Sequence, residues 1–425
     1  MKNILLACLI FFSSSVLAQQ TYIHCGKLID VEDGKVLNDM TIVVENNLIK
    51  SVKKGLKTTP EGATLIDLSS KTVMPGLFDM HVHIEGQTSK TKYMDKFVKN
   101  DADVAFESTV YAKRTLMAGF TSVRDLGGSG VNTSLRDAIK KGYVVGPTIY
   151  SAGKSIATTG GHADPTNGYK DDLMGNPGPK EGVINGEAEA RQAVRQRYKN
   201  GADVIKITAT GGVLSVAKSG QNPQFFEDEL RAIVETANDY GMLTAAHAHG
   251  DEGMQRAIRA GIKTIEHGTL MSEETMELMK QYDTYYVPTI TAGKTVAELA
   301  EIPGYYPELV VPKAKEIGPK IQNTFSKAYK KGVKIAFGTD AGVFYHGENG
   351  REFAYMVEAG MPAIETIQSA TLVPASLLKV DNLYGSIKAG KIADIIAVDD
   401  NPLEDIKTME SVSFVMKGGE VYKNE

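Results

Sequence analysis

The stretch "MPGLFDMHVHIEG", residues 74–86, decides how the rest of the chain reads. A short apolar run ends in two histidines, His81 and His83, two residues apart. On a β-strand, residues i and i+2 share a face, so the two imidazoles project into one space. Two neutral imidazoles converging at a strand end form a metal-ligand geometry, because histidine is the commonest nitrogen donor for zinc. An isolated His-x-His is more often an incidental pair of polar side chains, so the remaining residues have to carry the reading.

They do so by position. Seven further short apolar runs follow: "FTSVRDLG", "TIYSAG", "DVIKITATGG", "LTAAHAHG", "KTIEHG", "YYVPTIT" and "KIAFGTDAG". Amphipathic stretches such as "EAEARQAVRQRYKNG", "DELRAIVETANDYG" and "DEGMQRAIRAG" lie between them, and glycine often ends the helical pattern. Eight βα units over about three hundred residues predict an α/β chain with a (β/α)8 barrel over residues 75–384. In that fold, chemistry sits at the C-terminal ends of the strands.

The polar residues fall at those ends. Strand 4 carries Lys206, strand 5 ends in His247 and His249, strand 6 in His267 and strand 8 in Asp340. The chain has eight histidines. Histidines scattered over the surface would not gather at strand ends as His81, His83, His247, His249 and His267 do. His162 lies in the glycine-rich "TTGGHAD" after strand 3, on the same face.

Residues 19–74 and 385–425 have another character. "TYIHCGKLID", "TIVVENNLIKSV", "GSIKAGKIADIIAVDD" and "VSFVMKGGEVYKN" are β-like and broken by turns. Neither end has enough apolar length to fold alone. The two are expected to pair into one small β-sandwich domain.

Taken in order, "PGLFDMHVH", the strand-5 and strand-6 histidines, "GTDAG" and the closing "GSIKAGKIADIIAVDD" resemble the amidohydrolase superfamily over nearly the whole mature chain. "GFTSVRDLGG", "ATTGGHAD", "KITATGGVLS" and "AAHAHG" look like its imidazolonepropionase-related branch, and more closely like the metal-dependent dipeptidases acting on Xaa-Pro and related substrates. The resemblance implies two divalent metal ions. His81, His83 and Asp340 would bind the buried one and His247 and His267 the more exposed one. Lys206, N-carboxylated from CO2, would bridge them. A carbamate has two oxygens and can span metals about 3.5–4 Å apart, where an ammonium would be repelled. Zinc suits nitrogen and oxygen ligands with open positions. Manganese, cobalt and iron accept the same donors, and supply decides among them.

The implied reaction is hydrolysis of the amide bond of a dipeptide or N-acyl amino acid by a hydroxide bridging the metals. Asp340 would act as general base and then general acid. His162 and His249 would hold the substrate α-carboxylate. Relatives often have tyrosine where this chain has His249, which changes reach and charge. Arg124 and Asp125 are expected to pair with each other or brace the second strand. His346 is placed either at the pocket rim or on a solvated lid, and Tyr285–Tyr286 in strand-7 packing.

Two other readings compete. An imidazolonepropionase-like cyclic amide hydrolase or deaminase would use one metal and lack the strand-4 lysine. An exported binding protein would use the barrel mouth without catalysis, but all six candidate ligands are present here.

A formal net charge of −5 in 425 residues argues against a nucleic-acid partner. Lys2, the apolar "ILLACLIFF" and "SSSVLA" read as a signal peptide, residues 1–18, cut after Ala18. That run is too short to span a bilayer, and Cys8 lies too early for a lipid anchor. The mature chain is therefore expected in the periplasm or outside the cell, without a membrane anchor. Its single cysteine, Cys25, rules out an intrachain disulfide. Analogy with the branch suggests a homo-oligomer.

Overall fold

The structure, a computed structural model, describes residues 20–425, so the signal peptide expected over residues 1–18 lies outside the described residues. The two chain ends build one seven-stranded sheet. Its strands are β1 (Gln20–Asp30), β2 (Lys35–Glu45), β3 (Leu48–Lys54) and β4 (Thr64–Pro75) from the N-terminal part. The central part of the chain holds β5 (Leu77–Val82), β6 (Phe120–Asp125), β7 (Thr148–Ser151), the short pair β8 (Ala157–Thr158) and β9 (Val183–Ile184), β10 (Val204–Thr208), β11 (Leu243–Ala248), β12 (Thr264–His267) and β13 (Tyr285–Val287). The C-terminal part returns with β14 (Ile395–Val398), β15 (Val412–Lys417) and β16 (Glu420–Asn424).

The end sheet runs β16-β15-β14-β4-β1-β2-β3. Ile49 N donates to Lys391 O at 2.8 Å and Ala393 N to Asn47 O at 2.9 Å, so the β3 edge meets the segment entering β14 and the sheet curls on itself. Alternating residues then face one interior, as the period of two requires. Ile23, Cys25, Ile42, Val44, Leu68, Ile395 and Phe414 share that core. β14 pairs antiparallel with β4, the strand that hands the chain on to β5.

The central strands are parallel. β5-β6-β7 form one sheet and β10-β11-β12-β13 another. Ile156 N donates to Lys206 O at 2.8 Å and Thr208 N to Ile156 O at 3.0 Å, which joins the sheets on one side. On the other side the segment 334–341 bonds β13 through Tyr286 N→Lys334 O (2.8 Å) and β5 through Met80 N→Phe337 O (2.9 Å) and His83 N→Ala341 O (2.8 Å). The parallel strands thus close into a continuous ring of backbone hydrogen bonds.

The eighth predicted strand is extended but irregular. Gly338 passes so close to β5 and β13 that a Cβ there would sit 2.4 Å from Val287 Cγ1 and 3.1 Å from His81 N. Asp340 then turns into the left-handed region, φ 62°. The amphipathic stretches are helices, Glu187–Lys199, Glu227–Asp239 and Asp251–Arg259. The first buries Ala190, Ala193, Val194 and Arg197, an i, i+3, i+4, i+7 stripe. After β13 the chain adds the helices Ile290–Leu299 and Val311–Ile317 before the helix Ile321–Lys330. This addition was not foreseen, since "YYVPTIT" reads as one strand to its end. Among the described residues no helix is long and apolar enough to cross a membrane.

Candidate metal centre

His81 is fully buried at the end of β5. Its Nδ1 bonds Glu266 Oε2 at 2.9 Å, leaving Nε2 directed at Lys206 Nζ (3.3 Å) and Asp340 Oδ1 (3.5 Å). His83, one residue past β5, donates from Nδ1 to Gly127 O at 2.7 Å, and its Nε2 lies 3.3 Å from the same Asp340 oxygen. Its side chain, 36% exposed, marks the open side. Asp340 Oδ1 is buried and has no well-formed hydrogen bond. On β12, His267 Nδ1 bonds Thr289 Oγ1 at 2.7 Å. On β11, His247 Nε2 donates to Gly211 O at 3.2 Å. Each of these four imidazoles therefore has one nitrogen tied to an outer partner, which leaves the other for the cluster. Such outer bonds fix the tautomer and aim of metal-binding histidines. His81, His267 and Asp340 offer ligand atoms all within 4.8 Å of one another.

Two backbone features aim these side chains. His267 has φ 70° and Asp340 φ 62°, a conformation rare for residues with a Cβ. Such positions cluster at functional sites, where surrounding structure holds them. The turn at His267 sends both Glu266 and His267 toward the ring interior, against strand alternation.

Electrostatics follow from burial. Burial, and then the Lys206 charge, hold the His81 imidazolium well below its usual range. His247 and His267 are lowered well below theirs by burial and then by neighbouring imidazoles. Burial pushes Lys206 down to about 8. Burial opposes ionisation of Asp340, but His81 and His83 outweigh it and keep the carboxyl below its usual value. His83 is raised because the hydrogen bond and charge of Asp340 overcome burial.

His162 and His249 complete the cluster. The His162 ring stacks on His247 with centroids 4.3 Å apart, and its Nδ1 is buried with no hydrogen-bond partner. His249 lies 4.7 Å from His247 and bonds Thr269 Oγ1 through Nδ1 at 2.9 Å. All eight sequence-assigned positions thus meet at one end of the ring.

Other expectations are corrected. Of the two alternatives for Arg124 and Asp125, bracing holds and pairing does not, because neighbours on a strand point to opposite faces. Arg124 is fully buried and donates to Glu266 Oε1 (2.8 Å), Met80 O (2.7 Å) and Thr264 Oγ1 (3.1 Å). Asp125 braces the end of β6 by accepting from Ile84 N (2.8 Å) and Asn132 Nδ2 (2.7 Å). His346 is not solvated, and it lies beside the segment that follows His83. It is buried, bonds Gly86 O through Nε2 at 2.9 Å and stacks on Tyr111. Tyr286 packs in the core as expected, and its hydroxyl donates to His267 O at 2.7 Å. Two carboxylates escaped the sequence reading. Glu266 carries His81, and Asp79 ties β5 to the eighth segment through Thr339 Oγ1 (2.6 Å) and Asn349 Nδ2 (2.8 Å). An acid inside an apolar run, one or two residues before a histidine, was the available signal for both.

The model of the amidohydrolase family matches residues 72–422. The chain belongs to the amidohydrolase family. Amidohydrolases are metal-dependent hydrolases acting on amide bonds, and this chain is such an enzyme. It is 55% identical to a Xaa-Pro dipeptidase whose crystal structure has methionine bound in the active site, with TM-score 0.93, covering 96% of this chain and 100% of that one. A prolidase complexed with N-methylphosphonate-L-proline is 32% identical, with TM-score 0.87, at 96% and 100% coverage. Ochratoxinase of Aspergillus niger is 33% identical over 96% of this chain and 87% of its own length.

Proposed function

We propose that this amidohydrolase is a binuclear metallodipeptidase. It cleaves dipeptides or N-acyl amino acids and releases an amino acid with a free α-carboxylate. The observation that carries this reading is the convergence of the His81, His83 and His267 imidazoles, from the ends of β5 and β12, on the buried Asp340, with Lys206 beside them. Two of the similar proteins, a Xaa-Pro dipeptidase and a prolidase, are named for substrates of this class.

The residues suit two divalent ions, with zinc the expected pair. His81 Nε2, His83 Nε2 and Asp340 would hold one, and His247 Nδ1 and His267 Nε2 the other. Lys206 would bridge them as a carbamate. Its lowered pKa of about 8 favours this, because the neutral amine is the form that adds CO2. When bound, such ions supply a water that is deprotonated near neutral pH and polarise the scissile carbonyl.

The remaining work belongs to the chain's own groups. Asp340, kept ionised by its two imidazole neighbours, takes the proton of the attacking water and delivers it to the departing nitrogen. His162 and His249 are both held to about 3, His162 by burial and then His249, His249 by burial and then Lys313. They are therefore neutral N–H donors for the substrate carboxylate. With the Thr269 hydroxyl donating to His249 Nδ1, the Nε2–H of that ring is left to donate.

The ring is read here as a (β/α)8 barrel over residues 75–384. The curled end sheet, from 19–74 and 385–425, is read as a β-sandwich domain. Residues 1–18 are read as a signal peptide for export.

The test is hydrolysis of one dipeptide and its C-terminal amide, with zinc and bicarbonate supplied. Amidation leaves the two donors partly unpaired, costing about 1–3 kcal/mol. The amide should then react on the order of tenfold to a hundredfold less well, and His162→Ala should erase most of the difference. Equal kcat/KM for both substrates in the wild type excludes the carboxylate clamp.

A further inference from the structure

Lys313 is a buried lysine to which the proposed mechanism gives no contact with substrate; its charge is only the lesser of the two causes that keep His249 neutral. It lies in the helix Val311–Ile317 of the segment added after β13 and is 7% exposed. Its ammonium donates to three carbonyls of one loop, Gly212 O (3.1 Å), Ser215 O (2.6 Å) and Ala217 O (2.8 Å). An ammonium has three N–H donors, so its capacity is filled. Burial alone pulls its pKa down, to about 8, which fits a cation held by carbonyl dipoles rather than by a carboxylate. Tyr93 Oη takes a fourth carbonyl of the loop, Leu214 O, at 2.8 Å.

The loop meets the candidate site at Gly212. A Cβ built there would fall 2.1–2.4 Å from three atoms of the His162 ring. Only a residue without a side chain lets the backbone close on that imidazole. The preceding residue, Gly211, is anchored separately by Gly211 N→Asn222 O at 3.1 Å and by the bridge between Thr210 and Pro223. The Gly211 contact to His247 therefore does not depend on Lys313, whereas the placement of Gly212–Ala217 does.

We propose that Lys313 is a positioning residue for substrate binding, pinning the Gly212–Ala217 segment from the added helix and so setting the His162 ring in its place. The proposal rests on the reading of His162 as a carboxylate ligand. It adds a determinant outside the metal-ligand set, on the helix Val311–Ile317.

The test uses Lys313→Met in the full-length, metal-loaded enzyme. Metal content should equal wild type and kcat should stay within about threefold. KM for a dipeptide should rise about tenfold to a hundredfold, the range expected when charged hydrogen bonds are lost. Hydrogen exchange of the 212–217 amides should accelerate. Lys313→Arg, which keeps the charge and several donors, should recover part of the KM. In a His162→Ala background, Lys313→Met should add little further, because the pinning acts through the His162 ring and burial, the larger cause, still keeps His249 neutral. If Lys313→Met does not yield folded protein, Lys313→Gln takes its place. Unchanged exchange of 212–217, or KM losses that multiply in the double variant, would overturn the proposal. A wild-type ratio of dipeptide to amide rates in His162→Ala overturns instead the carboxylate reading, while the exchange measurement still decides the pinning.

Discussion

Glu266 and His81 are joined by a 2.9 Å bond between two fully buried side chains, and Arg124 holds the other Glu266 oxygen at 2.8 Å. The carboxylate fixes the Nδ1–H tautomer of His81 and makes its Nε2 a better metal donor. Glu266→Gln places an amide between two donors that both need an acceptor. It should weaken metal binding on the order of 10- to 100-fold, measured by competition with a chelator. It should also lower stability, because a buried arginine loses its counter-charge. Wild-type metal affinity in Glu266→Gln would remove this link.

Lys206→Ala should abolish most activity and release at least one metal. Short carboxylic acids added to the variant should restore part of the turnover by standing in for the carbamate. Full metal content with full turnover would show that Lys206 bridges nothing.

Asp340→Asn should fold, because the side chain lies at the ring's end and not among its apolar layers. Turnover should fall by a factor on the order of 10²–10⁴, the usual contribution of a positioned acid–base group. Unchanged turnover would assign the proton transfer to another residue.

Much of this site was legible because its chemistry follows strand ends. His81 and His83 share a face by the period of two, and the order of histidines, lysine and aspartate along the strands places the rest. Glu266 was not legible for a specific reason. Alternation puts Glu266 and His267 on opposite faces, and only the left-handed turn at His267 sends both inward. The same turn at Asp340 makes the eighth segment irregular, which no apolar pattern reveals. Arg124 beside Asp125 suggested an ion pair in one dimension, whereas its partner is on β12, 142 positions away. The helices after β13 were hidden because "TIT" carries β-branched residues, and a buried carboxylate, Glu352, caps their start through Ile290 N (2.8 Å) and Thr291 N (2.7 Å).

The metal-free protein should lose stability in mild acid. Burial lowers the pKa of His81, His162, His247, His249, His267 and His346 in the folded state. These imidazoles stay neutral when folded but take up protons below about 6.5 when unfolded, so their contribution disappears as pH falls. Asp79 and Asp125, raised to about 6 by burial, Glu352, raised to about 7, and Asp394, also raised, act with the opposite sign. The six imidazoles outnumber the four acids, so the unfolded chain binds more protons than the folded one in mild acid. The melting temperature should fall as pH drops from 6.5 to 4.5. A melting temperature that is flat or rises toward acid contradicts this assignment of neutral imidazoles.

The most direct measurement is zinc counted per chain while metal is returned to the stripped enzyme, with dipeptide hydrolysis followed in the same samples. Two equivalents are expected, with activity appearing as the second binds and bicarbonate promoting it. Full turnover with one equivalent, as a mononuclear cyclic amide hydrolase or deaminase would show, or no metal bound at all, contradicts a binuclear dipeptidase.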